Sequence, residues 1–73
     1  MSSDHAAKLV KMANQISHFF GGQGDEASAV AGVIDHITSN WPAAMRAALL
    51  KHAQTGGTGL NPLAHQAALG LKA

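Results

Sequence analysis

Cysteine is absent from all 73 residues. That excludes a disulfide framework and a thiolate nucleophile, and it leaves histidine and carboxylate as the only strong side-chain ligands for zinc. Tyrosine is also missing, and the aromatic residues are limited to Phe19, Phe20 and Trp41. Charge is sparse in both signs, five Lys and Arg against four Asp and Glu, for a formal net charge of +1. This is far from the strongly basic balance of a nucleic-acid binder, and it points to no partner by electrostatics alone. No apolar run approaches the ~20 residues of a membrane span. The opening Met1-Ser2-Ser3-Asp4-His5 lacks the basic region and apolar stretch of a signal peptide. These features lead to the expectation of a cytoplasmic chain with no membrane or nucleic-acid partner.

Hydrophobic residues make up 47% of the sequence, but fifteen of them are alanines, which bury little area. The length suits one domain, residues 1–73. A core of this size rarely supplies more than roughly 3–5 kcal/mol, and small domains usually add disulfides, a metal or a partner subunit. Without disulfides, a partner becomes an attractive source of the remainder.

Hydrophobic spacing predicts an all-α chain of three helices plus a short C-terminal fourth. From about Asp4 to Phe20, the residues Leu9, Met12, Ala13, Ile16, Phe19 and Phe20 recur at three- and four-residue steps, with Lys8, Lys11, Gln15 and His18 opposite. Ser3 or Asp4 is placed to cap this helix, and Gly21-Gly22 to end it in the left-handed conformation. Asp25 caps a second helix, along which Ala27, Val30, Ile34, Ile37 and Trp41 form a narrow seam. Asn40-Trp41-Pro42 marks a break, because the residue before proline avoids the α region while proline suits a first helical turn. A third helix follows to about Gln54, with Met45, Leu49, Leu50 and Ala53 on one side, and Thr55-Gly56-Gly57-Thr58-Gly59 stops it. Asn61-Pro62 repeats the cap-and-proline signal for a helix from Pro62 to Leu69 or Leu71, of weak apolar pattern. Nothing alternates with the period of a strand, and no internal repeat is visible.

Catalytic constellations are missing. The glycine-rich Gly56-Gly57-Thr58-Gly59 lacks the following Gly-Lys-Ser/Thr of a phosphate loop and reads as a turn between helices. The histidines at 5, 18, 36, 52 and 65 never stand three or four residues apart, so no pair shares a helical face as metal ligands, and they read as solvated or hydrogen-bonded. Asp35 and His36, adjacent on a helix, point roughly 100° apart. Ser39 and Thr55 read as helix-end residues whose hydroxyls satisfy backbone groups.

The candidate partner-binding residues are Lys11, Asn14, Gln15, Arg46, Trp41 and Leu60. Asn14 and Gln15 fall away from the apolar stripe, beside Lys11, so their amides are expected to point outward. Arg46 sits inside the apolar face of the third helix. Its stem can snorkel to water, its guanidinium can pair with an internal carboxylate such as Asp35, or it can meet carboxylates or carbonyls of a partner. Trp41 either seals the core or anchors an interface, and Leu60 either plugs the core or stays exposed.

Leu9-Val10-Lys11-Met12-Ala13-Asn14-Gln15-Ile16 followed by Phe19-Phe20, then Asp35-His36-Ile37 leading to Trp41 and Met45-Arg46, then Gly56-Gly57-Thr58-Gly59-Leu60-Asn61-Pro62-Leu63, resemble three blocks of the delta subunit of cytoplasmic NAD-dependent formate dehydrogenases. Order and spacing agree from about Leu9 to Leu63. Two departures stand out: Pro42 follows Trp41 directly where the family places proline two residues on, and Ala44 precedes Met45 where the family carries a basic residue. The first moves the expected start of the third helix a residue earlier, and the second removes one potential partner contact. The resemblance implies a non-catalytic accessory subunit bound to a large catalytic subunit. The complex would carry molybdenum or tungsten on a bis-pterin guanine dinucleotide cofactor, iron–sulfur clusters, FMN and NAD, none of them bound by this chain. It also implies a role in the catalytic subunit's stability or in insertion or retention of its metal cofactor.

The competing reading is an independent binding module, a regulatory adaptor or a helix-turn-helix-like DNA binder using the second and third helices. A recognition helix needs several polar side chains reaching phosphates and base edges, whereas Pro42 to Gln54 offers only Arg46, Lys51 and Gln54.

Overall fold

The computed structural model describes residues 2–22 and 24–72, with side chains from Ala6 onward. The chain forms α1 (Ser2–Phe20), α2 (Glu26–Asn40), α3 (Ala43–Gln54) and α4 (Pro62–Leu69), and no strand among the described residues. The all-α expectation of three helices and a short fourth holds.

Helix α1 begins at Ser2, so Ser3 and Asp4 lie within it instead of capping it. Its buried row is Leu9, Ala13 and Ser17, at steps of four, with Met12, Ile16 and Phe20 half-buried beside it. Phe19 does not join this face, contrary to expectation, and is 66% exposed. The physical reason is angular: at 3.6 residues per turn, Phe19 lies roughly 200° round the helix from Ser17. The helix end also differs from expectation. Gly21 keeps its φ negative and donates its N–H to the Ser17 carbonyl at 2.8 Å, continuing the helical pattern. The left-handed backbone falls later, at Gly24. Gln23, within the expected glycine loop, lies outside the described residues.

Asp25 caps α2 as its position suggests, its carboxylate accepting the Ser28 N–H at 2.7 Å. The Ser28 amide, then the Ser28 hydroxyl, holds this carboxyl below the usual carboxylate range. A lowered folded value means that the cap's contribution is present above the ordinary carboxylate range and fades as pH falls through the lowered value. The seam of α2 is shifted from expectation: Ala29, Val33, Ile37 and Trp41 are buried at steps of four, Val30 and Ile34 are half-buried, and Ala27 is exposed. Helix α2 packs against both α1 and α4, which makes its buried face broader than a seam matched to one neighbour. On the α1 side, Phe20 lies so close over Gly32 that a Cβ there would stand 2.7 Å from the ring.

Trp41 is extended, at φ −100° and ψ 140°, before Pro42, and its side chain is 6% exposed within the core. Of the two roles open to it, the fold uses core sealing. Pro42 takes the capping position, its carbonyl accepting the N–H groups of Met45 and Arg46, so α3 starts at Ala43, with the proline just before the first turn and not within it. Leu49 and Ala53 are buried on α3, with Met45, Ala48 and Leu50 half-buried.

Helix α4 opens on the expected cap: Asn61 accepts the Ala64 N–H at 2.7 Å and Pro62 occupies the first turn. Its weak apolar pattern conceals a central role. Ala64, Ala67 and Ala68 are all buried, and the helix packs against α1, α2 and α3 together. Leu71, past the helix end, is buried as well.

Among the described residues Ser17 is the polar exception in this core, 1% exposed with an Oγ that has no hydrogen-bond partner. A buried hydroxyl left unpaired costs free energy. Ser17→Ala is therefore expected to raise stability by about 1 kcal/mol, read as a higher midpoint in urea denaturation of the free chain; a lower midpoint would show that the hydroxyl has a partner in solution.

Candidate docking surface

Between α3 and α4 the chain must reverse within a few residues, and the glycines make that possible. Gly56, Gly57 and Gly59 all have positive φ, at 119°, 66° and 86°. Gly57 meets a second constraint, because a Cβ there would stand 2.8 Å from Nε2 of His65. Three side chains hold the loop. His52 Nε2–H donates to the Thr58 carbonyl at 2.8 Å and His65 Nε2–H to the Ala53 carbonyl at 3.0 Å. A carbonyl can only accept, so Nε2 carries the proton in both rings. The third is Asn14 of α1, whose amide donates to the Gly59 carbonyl and accepts the Asn61 N–H, each at 2.9 Å.

That pair of bonds corrects the expectation that the Asn14 amide points outward. The loop folds back onto α1, forty-five to forty-seven residues away in sequence, and occupies both functions of the amide. A single helical wheel does not contain this loop. For the four histidines whose side chains are described, the reading as hydrogen-bonded or solvated fits: His52 and His65 are bonded, while His18 and His36 are exposed; the His5 side chain lies outside the described residues. The Thr55 hydroxyl donates to the Lys51 and His52 carbonyls at the end of α3.

Gln15 and Lys11 are exposed on α1. Together with Asn14 they line an open groove of about 690 Å³ whose other wall includes Asn61. It continues across Ala7 and Val10 into a second groove, of about 650 Å³, between α1 and α3, floored by Ala6 and Ala48 and edged by Lys51 and Thr55. Leu60 is half-buried and packs on the core from the loop. Trp41 and Arg46 belong to a separate place, the α2–α3 corner, where an Arg46 terminal nitrogen (Nη1) donates to the Trp41 carbonyl at 2.6 Å. Arg46 thus bonds to backbone, and not to Asp35. Its Nε is buried without a partner.

No group of three or more His, Asp or Glu side chains converges as a metal site among the described residues. With no cysteine either, the donor set does not fit an iron–sulfur cluster or a thiolate-held metal. The glycine-rich loop turns its carbonyls toward histidine and asparagine donors, an arrangement that does not cradle a phosphate. With Arg46 bonded to Trp41, α3 leaves Lys51 and Gln54 to face a nucleic acid, which weakens the recognition-helix reading.

Wheel reasoning also missed a surface at the far end of α1. Phe19 meets Phe20 edge-on, with centroids 5.2 Å apart and planes at 90°. Beside them Gln15, Ile16 and His36 complete a depression of about 280 Å³. The signal was present in the sequence, as the angle between Phe19 and the row through Leu9, Ala13 and Ser17.

Four helices closed around buried alanines, with polar staples on the loop and an aromatic left outside, define a small all-helical protein without a convergent donor set among its described residues. Among the described residues, no helix is long and apolar enough to cross a membrane. The family model described as NADH-dependent formate dehydrogenase delta subunit FdsD matches residues 8–68, and the chain belongs to that family. The match takes in all of α4 but its last residue, beyond the three blocks that end at Leu63. No curated protein and no solved structure is significantly similar to the chain.

Two substitutions test the internal roles of polar residues. Asn14→Ala is expected to cost about 1–2 kcal/mol, since it leaves the Asn61 N–H and the Gly59 carbonyl without their partner, and chemical denaturation of the free chain would register it. Arg46→Ala is expected to cost about 2 kcal/mol, through the charged bond to Trp41 and the packing of its stem. An unchanged denaturation midpoint for Arg46→Ala, with weakened complex formation, would instead assign Arg46 to an interface.

Proposed function

We propose that this chain is a non-catalytic accessory subunit of an NAD-dependent formate dehydrogenase, binding the large molybdenum- or tungsten-containing catalytic subunit and supporting its stability or its insertion or retention of the metal cofactor. Membership of the delta-subunit family over residues 8–68 carries the reading. A delta subunit works within a hetero-oligomer, in the cytoplasm on this proposal. On this reading the bis-pterin guanine dinucleotide metal centre, iron–sulfur clusters, FMN and NAD reside on other subunits; this chain has no cysteine to offer an iron–sulfur cluster.

The chain's physical make-up favours such a role. Half of its buried apolar residues are alanine, so it has little stability to spare, and it presents Lys11, Gln15 and Phe19 on one exposed side of α1. An attached subunit gains from burying such a face, and a bound partner stabilises the state it binds by mass action.

Expressing the dehydrogenase with and without this chain tests the proposal. With it present, the chain is expected to copurify with the catalytic subunit, and the complex to hold more molybdenum or tungsten per catalytic subunit or to inactivate more slowly on warming. The free chain is expected to reduce no NAD with formate. Elution of the chain apart from the dehydrogenase, with metal content and thermal inactivation the same in both preparations, would defeat the reading.

A further inference from the structure

Phe19 is 66% exposed, on a helix whose other large apolar side chains are at least half-buried. Burying a phenylalanine side chain is worth about 1.5–3 kcal/mol, and the free chain leaves most of that unused. Nor is the ring on a loose end. It stands edge-on against Phe20, and Phe20 is wedged over Gly32 with its centroid 6.1 Å from that of His36. An aromatic side chain held on a rigid platform loses little conformational entropy on binding, the property that makes such residues effective anchors.

The surface around it has a direction. Lys11, Gln15 and Phe19 are exposed at successive steps of four along α1, so the Lys11 backbone lies about 12 Å from that of Phe19 along the helix axis. Three and four residues to either side of Lys11 stand Ala7, Lys8, Asn14 and Gln15, none of them acidic. One end of this row is therefore apolar and the other cationic. A second copy of the chain would set Lys11 against Lys11 if packed parallel and against the partner's Phe19 if packed antiparallel, and in neither case would this row offer it a carboxylate. It would also have to bury about 800 Å² of each chain to form a stable dimer, out of a total surface of 4469 Å², and the apolar patch around Phe19 is only a few residues wide. A larger subunit with a concave surface meets both requirements.

We propose that Phe19 is the anchor by which this chain docks on the catalytic subunit of the dehydrogenase, its ring entering an apolar socket and Lys11 meeting carboxylates on that socket's rim. The inference rests on the docking role proposed above and adds the face used and the chemistry of the partner surface.

Titrating the purified catalytic subunit with the wild-type chain and with single variants tests it. Phe19→Ala is expected to weaken binding by at least about 30-fold, the loss typical of an interface hot spot, with helicity by circular dichroism unchanged. Lys11→Glu is expected to bind a few-fold more weakly, mainly through slower association. Leu69→Ala, which alters the other exposed large apolar residue among those described, is expected to bind like wild type. A photoreactive benzoylphenylalanine in place of Phe19 is expected to crosslink to the catalytic subunit within the intact complex, a readout that stands even if Phe19→Ala unfolds the chain. Wild-type affinity for Phe19→Ala, or a crosslink to a second copy of this chain, would overturn the anchor while leaving the docking role intact. Failure of the wild-type chain to bind at all would overturn the docking role, and the anchor with it.

Discussion

Where α4 meets the other three helices its inward side chains are Ala64, Ala67 and Ala68, all buried, and this close contact conditions the rest of the arrangement. Alanine lets helix backbones approach closely, but each such contact removes little apolar area from water. The larger side chains, Leu9, Val33, Ile37, Trp41, Leu49 and Leu71, fill what space remains. Gly32 and Gly70 extend the same economy: a Cβ at either would press within 2.7 Å of Phe20 or Ile34. Packing of this kind depends on registration, because small side chains leave few atoms to compensate for a shift.

Registration comes from polar contacts outside the apolar core. Helix α4 is only eight residues long, too short to be stable alone. Asn61 and Pro62 start it locally, and Asn14, by holding the Gly59 carbonyl and the Asn61 N–H, fixes that start against α1. His52 and His65 perform the same service within the loop and between α3 and α4. The Asn14 amide is consequently a spatial link between the first helix and the last. Its position beside Lys11 and Gln15 gives the exposed face of α1 a firm edge.

Local signals were legible because their physics is local. The Asp25 cap, the Trp41-Pro42 break and the Asn61-Pro62 start each involve residues within four positions of one another, and the sequence alone displays them. The family resemblance was legible too, carried by three short blocks in order, and the match over 8–68 confirms it. What required three dimensions was the use of each polar side chain. Asn14 read as outward because the loop that occupies its amide is some forty-five residues distant. Arg46 had three open fates, and its neighbour in the fold, the Trp41 carbonyl, is a backbone group that no side-chain pattern announces. The wider seam of α2 has a related cause: a helix packed on two partners has no single apolar stripe, so counting from Ala27 found Val30, Ile34, Ile37 and Trp41 but missed Ala29 and Val33.

Phe19 and Ser17 lie two residues apart on the same helix with their ordinary environments exchanged, the phenylalanine in water and the serine buried. The serine continues the buried row of Leu9 and Ala13, its small side chain almost wholly covered. No internal requirement accounts for the phenylalanine: its ring touches Phe20 but leaves the core untouched, and a polar residue there would suit an isolated chain better. A protein with an alanine-lined core has few large side chains to contribute to folding, and this one places one of its three aromatics outside. Within the proposed docking role that placement is consistent, because the area missing from the chain's own core is then supplied at an interface with a larger subunit.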